Sequence, residues 1–205
     1  MALVNPYCTE QQLREHFGDS NGSLTTALLE RAINATSRGI ERFTGRKFWT
    51  GEALTFTYRP DEPDLAWIRD INSRDGIVIR TDSTGDGTYA TTWTAADYEL
   101  GPNPDADVDG DAYAWWRIHA VGSLTFPTAG QYRPLQVTAP PGWSEIPADV
   151  EQACILRSAS IFKRKESIDG VASFGEFGPV RISRQRDPDV AALLDDFIKI
   201  KVGAV

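Results

Sequence analysis

The sequence predicts an α+β chain in which helical segments at the two ends form one small bundle and a β-rich segment is inserted between them. Three observations carry this. Apolar residues recur at helical spacing from Leu24 to Phe43 and again from Val150 to Phe162. Between those stretches the period drops to two, and Gly, Pro, Asn and Asp clusters separate the runs. Charge divides in the same way: from Glu52 to Trp116 there are 14 Asp and Glu against 4 Arg, while the rest of the chain is close to neutral. The expected boundaries are residues 1–50 for the N-terminal helical part, 51–143 for the acidic β-rich insertion and 144–205 for the C-terminal helical part, together one composite domain.

The elements follow in order. Thr9 and Gln12 have capping-box spacing, and Leu13, His16 and Phe17 give the short helix after them an apolar edge. The cluster Gly18-Asp19-Ser20-Asn21-Gly22 is a turn. Ser23 is placed to cap a second helix with an apolar stripe of Leu24, Leu28, Ala32, Ile33, Thr36, Ile40 and Phe43. Gly45 ends it, with bases near the helix C-terminus, where the dipole favours them. In the middle segment, Leu54, Phe56 and Tyr58 alternate with Thr55, Thr57 and Arg59 in a half-buried strand that Pro60 ends. Further short strands are expected at Ile77–Ile79, Thr91–Trp93, Asp97–Leu100, Ala114–Ile118 and Leu135–Thr138. Their turn-punctuated spacing points to a small sheet, sandwich or barrel-like insertion.

Helix then returns. Pro147 suits a first helical position, and the apolar residues from Val150 to Phe162 occupy more than one face, so this helix is expected at the centre of the bundle. Gly170 to Pro179 reads as a glycine-rich connection and Val180–Ser183 as one strand. Asp187-Pro188-Asp189 opens a last helix with a cap, a first-position proline and acids in its first turn. Val190, Leu193, Leu194, Phe197, Ile198 and Lys201 are expected along its apolar side.

With 205 residues, 41% hydrophobic and 24% charged, the chain can bury a substantial core. It contains no apolar run long enough to span a bilayer, and Met1–Pro6 lacks the basic start and apolar core of a secretory signal. The expected compartment is therefore the cytoplasm. Cys8 and Cys154 agree with a reducing environment. They could pair, but Cys154 falls inside an apolar helical pattern, and a buried free thiol is the preferred reading. The acidic middle would repel a phosphate backbone, which disfavours sequence-specific DNA or RNA binding there without forbidding a place beside DNA as a repelling wall.

Little in the chain points to catalysis. The two histidines, His16 and His119, lie far apart in sequence, and Cys8 with His16 is too thin for a nucleophile–base pair. There is no phosphate-binding glycine loop, nucleophile elbow or zinc-protease motif. The expectation is a chain that is not an enzyme and carries no cofactor. A weak calcium candidate is Asp105, Asp107, Asp109 and Asp111, whose spacing matches the opening of a calcium loop. Its twelfth position is Trp116 instead of the bidentate Glu, and its flanks are wrong. Asp82, Thr84 and Asp86 repeat the spacing more weakly. The tryptophans Trp49, Trp67, Trp93, Trp115, Trp116 and Trp143 would serve either as core and interface rings or as a sugar platform. Trp115 and Trp116 are adjacent in a strand and face opposite sides, so one needs a second buried surface. A protein neighbour is the preferred source of that surface.

The run Leu28-Leu29-Glu30-Arg31-Ala32-Ile33-Asn34-Ala35-Thr36-Ser37-Arg38-Gly39-Ile40-Glu41-Arg42-Phe43-Thr44-Gly45-Arg46-Lys47-Phe48 resembles the head–tail connector (adaptor, or head-completion) family of tailed bacteriophages. The shared pattern is a long helix with a small-residue centre and an Ile-Glu-Arg-aromatic ending, then Gly-Arg and an aromatic. Pro147-Ala148-Asp149-Val150, Phe162–Ser167 leading into Gly170–Phe174, and Asp187–Leu194 continue the likeness. About half the chain is covered, and Glu52–Trp143 is the departure. The resemblance implies a bundle that assembles as a twelve-subunit ring beneath the portal protein, in the neck of the virion. A stopper or tail-completion protein would meet its other side, and genome DNA would pass through the lumen without a base-specific grip. It also implies that the segment from Arg184 to Val205 docks on the portal. Candidates for portal or subunit contact are Phe174, Phe177, Arg184, Arg186, Phe197, Ile198 and Ile200, with Trp116 from the strand argument. Intramolecular packing of Phe197, Ile198 and Ile200 stays open beside docking. The second function class is a calcium-assisted carbohydrate- or protein-binding module. A hydrolase using paired carboxylates has nothing in the sequence that brings two carboxylates together.

Overall fold

The computed structural model describes residues 2–19, 22–102, 112–128, 133–166, 171–173, 179–181 and 187–199. They fall into two compact units, Met1–Arg46 with Ile146–Val205, and Lys47–Glu145. The first is helical and the second is made of antiparallel strands, so the fold class is α+β.

In the helical unit, α1 (Glu10–Phe17) starts with the complete capping box: the Thr9 hydroxyl accepts from the Gln12 amide, and the Gln12 side chain accepts from the Thr9 amide. α2 (Thr26–Thr44) ends at Gly45 with φ 71°, a left-handed cap that glycine adopts without a Cβ penalty. Its start differs from expectation. Ser23 does not cap it, because the Ser23 amide and hydroxyl both donate to Asp19, at 2.7 and 2.6 Å. The helix begins after Thr25, which gives no side-chain cap. The buried face is also turned by about one residue from the apolar stripe. It comprises Leu29, Ala32, Ile33, Thr36, Ser37, Ile40 and Thr44. Ser37 and Thr44 can be buried because their hydroxyls donate to the carbonyls one turn back, Ile33 and Ile40.

α3 (Ala148–Glu166) begins one residue later than expected: the Pro147 carbonyl accepts from the Glu151 amide at 3.0 Å, which puts the proline at the cap. α1, α2 and α4 (Pro188–Asp195) all pack on α3. That explains an apolar surface wider than one stripe, with Val150, Ala153, Cys154, Ile155, Ala159 and Phe162 buried.

α4 is capped by the Asp187 carboxylate, with the proline at its first turn. It stops at Asp195, earlier than the apolar pattern suggested. Phe197 and Ile198 lie beyond it, in turns closed by their amides onto Leu194 and Asp195. The Lys199 amide leaves this path to donate to the Thr44 carbonyl at 2.7 Å. Lys201 lies outside the described residues. The glycine-rich connection contains a strand that the sequence did not announce. β8 (Val171–Ser173) pairs with β9 (Pro179–Arg181) as an antiparallel hairpin, while Ile182 and Ser183 lie outside the described residues.

The strand unit holds two antiparallel sheets. One has the order β1 (Leu54–Tyr58), β7 (Leu135–Ala139), β3 (Val78–Thr81), β4 (Thr91–Thr92); the other has β2 (Leu65–Ile71), β6 (Trp115–Ala120), β5 (Tyr98–Gly101). Period-two burial is plainest in β7, where Leu135, Val137 and Ala139 point inward. Strand β2 is absent from the sequence expectations. Its register slips between Trp67 and Ile71, and it begins just after Pro60-Asp61-Glu62-Pro63-Asp64, which reads as loop. One core draws on both sheets: Ile68 and Ile71 from β2, Ile79 from β3, Ile118 from β6, and Leu135 and Val137 from β7. Trp93 and Phe126 stack within it at 4.6 Å and 7°.

Candidate interaction surfaces

In the helical unit the C-terminal segment is seated against the end of α2. The Arg46 side chain, only 7% exposed, donates from Nε to the Phe197 carbonyl at 2.9 Å. Together with the bond from Lys199 to Thr44, this ties residues 197–199 to the turn that Gly45 makes. The two residues of the Gly-Arg pair that ends α2 thus act in concert, glycine turning the chain and arginine holding the C-terminal segment. Phe197 is half-buried, and Ile198 is 39% exposed. Of the other sequence candidates, Phe174, Phe177, Arg184, Arg186 and Ile200 lie outside the described residues.

Sequence reasoning missed a groove of about 560 Å³ between α2, α3 and α4. Ile40, Phe43, Ile161, Val190 and Leu194 line it, with Arg42 and Arg157. Thr36, 2% exposed, also lines it, and its hydroxyl has no hydrogen-bond partner. Neither the helical period nor any motif signals this groove, because it depends on how α2, α3 and α4 come together from distant parts of the sequence.

In the strand unit Trp115 is core and meets Tyr113 edge-on at 4.9 Å. Trp116 points to the other side, as alternation requires, and stacks on Trp143 at 6.5 Å and 26°. Part of the second surface that Trp116 needs is thus supplied within the unit by Trp143, which in turn packs on Phe48 at 5.3 Å. Trp93 donates from Nε1 to Thr81 at 3.0 Å. The most open tryptophan is Trp67, 36% exposed, with the Arg117 guanidinium 5.6 Å from its centroid. Its strand was missed, although Trp67 itself stood among the sequence's tryptophan candidates. Alternation of Ala66, Ile68 and Asp70 with Trp67 and Arg69 was the available signal.

Asp82 shows why acidic spacing alone misleads. Its carboxylate is 1% exposed and accepts from the Thr84 amide and hydroxyl, the Gly85 amide and the Gly87 amide, at 2.7 to 3.1 Å. Burial opposes its charge, but the amides of Gly87 and Gly85 and the Thr84 donors outweigh burial and hold its pKa below the ordinary carboxylate value. Both oxygens build the turn, so the Asp82, Thr84 and Asp86 spacing already has a structural role without an ion. Among the described residues no group of three or more His, Cys, Asp or Glu is placed to hold a metal ion. Asp105, Asp107, Asp109 and Asp111 lie outside them. His16 is exposed on α1 in the helical unit, and His119 is half-buried on β6 in the strand unit. Among the described residues no helix is long and apolar enough to cross a membrane.

A tight polar network fixes the α1–α2 turn. Arg14 meets the Glu10 and Asp19 carboxylates, each at 2.6 Å, and donates to the Leu24 carbonyl at 2.9 Å. Asp19 also accepts from the Leu24 amide at 3.0 Å. The Ser23 hydroxyl is the largest of the donors that push the Asp19 pKa far down. The Arg14 guanidinium lowers that of Glu10.

No family model matches the chain, and no curated protein sequence matches it. Solved structures do. A chain from the neck of an empty GTA (gene transfer agent) particle, with C6 symmetry, aligns at 18% identity and a TM-score of 0.60, covering 100% of this chain and 96% of that one. A chain from the neck of a native GTA particle, with C12 symmetry, aligns at 18% identity and a TM-score of 0.57 with the same coverage. Over its whole length, this chain therefore has the fold of chains found in the neck of phage-like particles.

Proposed function

We propose that this chain is a non-enzymatic structural subunit of a head–tail connector, assembled as a ring in the neck of a virion or phage-like particle. The observation that carries the reading is the end-to-end fold likeness to particle-neck chains, which includes the strand unit as well as the helices. Twelve subunits are the copy number we favour, and the C12 symmetry of one such neck supports it. Ring closure needs head-to-tail interfaces between identical chains. The acidic strand unit suits a component beside a DNA passage, because like charge keeps the duplex from gripping.

On this reading the C-terminal segment docks on the portal protein, and a stopper or tail-completion protein meets another face. Arg46 and the Gly45 turn hold residues 197–199 so that Ile198 stays open to solvent, which suits a preorganised contact. Phe174, Phe177, Arg184, Arg186, Phe197, Ile200 and Trp116 remain contact candidates. Before assembly the chain would reside in the host cytoplasm. The calcium-assisted carbohydrate module has less support: Trp93, Trp115 and Trp143 are buried, Trp49 is half-buried, Trp116 is stacked internally, and Trp67, the most exposed tryptophan, has the Arg117 guanidinium over its ring.

The test is genetic and microscopic. Particles produced without this chain should be DNA-filled heads lacking tails in electron micrographs. Tailed, infectious particles from the same deletion would overturn the proposal. Complementation with Ile198→Asp should yield about tenfold fewer tailed particles, since a buried apolar contact would gain a charge. The variant's Tm should match that of the native chain, because Ile198 is 39% exposed.

A further inference from the structure

We propose that Cys8 and Cys154 form a site of covalent oxidation, closing to an intramolecular disulfide that fastens the N-terminal segment to α3. Both are free thiols, 3% and 0% exposed, with their sulfurs 3.2 Å apart although they are 146 residues apart in sequence. Closure to a bonded distance of about 2.05 Å needs a movement of about 1 Å.

The surroundings divide the roles. Cys8 belongs to a segment without helix or strand that lies along α2. That segment is held by bonds from the Val4 amide to Asn34 at 2.9 Å, from Arg38 to the Asn5 carbonyl at 2.8 Å, and from the Tyr7 amide to Ser37 at 3.1 Å. Two of these three lie at exposed positions, while Tyr7 is fully buried and donates from its hydroxyl to Glu41 at 2.8 Å, so reaching Cys8 needs a local opening that also releases Tyr7. Cys154 sits in the middle of α3 and does not leave with it. The Cys8 thiol donates to the Cys154 sulfur, with the Ser37 hydroxyl 3.7 Å from the same sulfur. This bond keeps the proton on Cys8 and lowers the Cys154 pKa in the dithiol; once Cys8 is in a mixed disulfide that donor is gone, and the Ser37 and Ser158 hydroxyls are the donors left to favour the attacking Cys154 thiolate.

The oxidant is a low-molecular-weight disulfide. In an opening of the N-terminal segment, Cys8 attacks one sulfur of that disulfide and expels the first small thiol. On reclosure Cys154 attacks the Cys8 sulfur of the mixed disulfide and expels the second. One protein S–S bond forms and the oxidant's S–S bond breaks. The two protons of the protein thiols end on the two small thiols, and two electrons pass to the oxidant. A connector subunit passes from a reducing cytoplasm to the outside of the cell, where such an oxidant is available. This setting rests on the connector reading, but the chemistry does not.

The experiment uses the isolated full chain treated with oxidised glutathione. Expected are loss of both titratable thiols, a mass lower by two hydrogens, one cross-linked peptide pair containing Cys8 and Cys154, and a monomer on a non-reducing gel. Tm should rise by roughly 5–10 °C and return on reduction. Cys8→Ala and Cys8→Ser should each show no such rise. Two thiols that still titrate, a glutathione adduct that never resolves, or a cross-link between chains would overturn the proposal. None of these failures bears on the connector reading, which is tested with particles.

Discussion

Two residues show how single positions set the backbone here. Gly142 has a φ of 104°, and a Cβ built on it would lie 1.9 Å from the Trp49 carbonyl oxygen. Replacing it forces backbone to move on both sides of that approach. Gly142→Ala should therefore cost at least about 3 kcal/mol, read as a lowered midpoint in chemical denaturation of the strand unit. An unchanged midpoint would mean that the approach relaxes freely. Cys154 shows the opposite case. The helical pattern put it in the core and favoured a free thiol, and it is a free thiol with 0% exposure. The sulfur of Cys8 beside it could not be read from the sequence, because nothing local brings positions 146 apart together.

Among elements, those with strong local chemistry were the legible ones. The capping box of α1, the left-handed glycine at the end of α2 and the strands β1 and β7 each depend on residues a few positions apart, although burial alternates in β7 and not in β1, where Leu54 is exposed. Elements set by a distant or competing partner were not legible. Ser23 looked like a helix cap, yet Asp19 takes its amide and hydroxyl; β2 was hidden by acidic, proline-rich flanks and a bulge; α4 ended early because the chain turns back to reach Thr44. The candidate contacts Phe197 and Ile198 came from the resemblance to connectors, but their attachment through Arg46 did not. The Asp19 turn carries a pH dependence. Both Asp19 and Glu10 have lowered folded pKa values, so their stabilisation is complete above the unfolded carboxylate pKa, near about 4. It is lost as pH falls through the folded values, while Arg14 stays charged. Amide-exchange protection at Ser23 and Leu24 should hold at pH 6 and fall below about pH 3. Unchanged protection to about pH 2 would exclude the carboxylates as its source.

For the whole molecule, charge is the property that reaches furthest. A net charge of −8, concentrated in the strand segment, predicts no retention of duplex DNA in a gel-shift assay at physiological salt. Binding that weakens steeply with added salt would instead reveal a basic face and remove the argument for an unobstructed lumen. The division of the chain was visible in outline from composition, because period and charge change at the same places. The pairing order β1-β7-β3-β4 was not visible, because it joins strands far apart in sequence.

The helical unit is built from the two ends of the chain, with Lys47–Glu145 made between them. During synthesis, α2 leaves the ribosome with Leu29, Ile33 and Ile40 ready to be buried, but α3 follows only after about 100 further residues. At about 5–20 residues per second this leaves the apolar face of α2 uncovered for roughly 5–20 seconds. The strand unit, complete in itself, is free to fold during that wait. Its folding would shorten the loop that α2 and α3 must close, which lowers the entropy cost of their meeting. The insertion would then act as an internal assembly aid before it touches any partner.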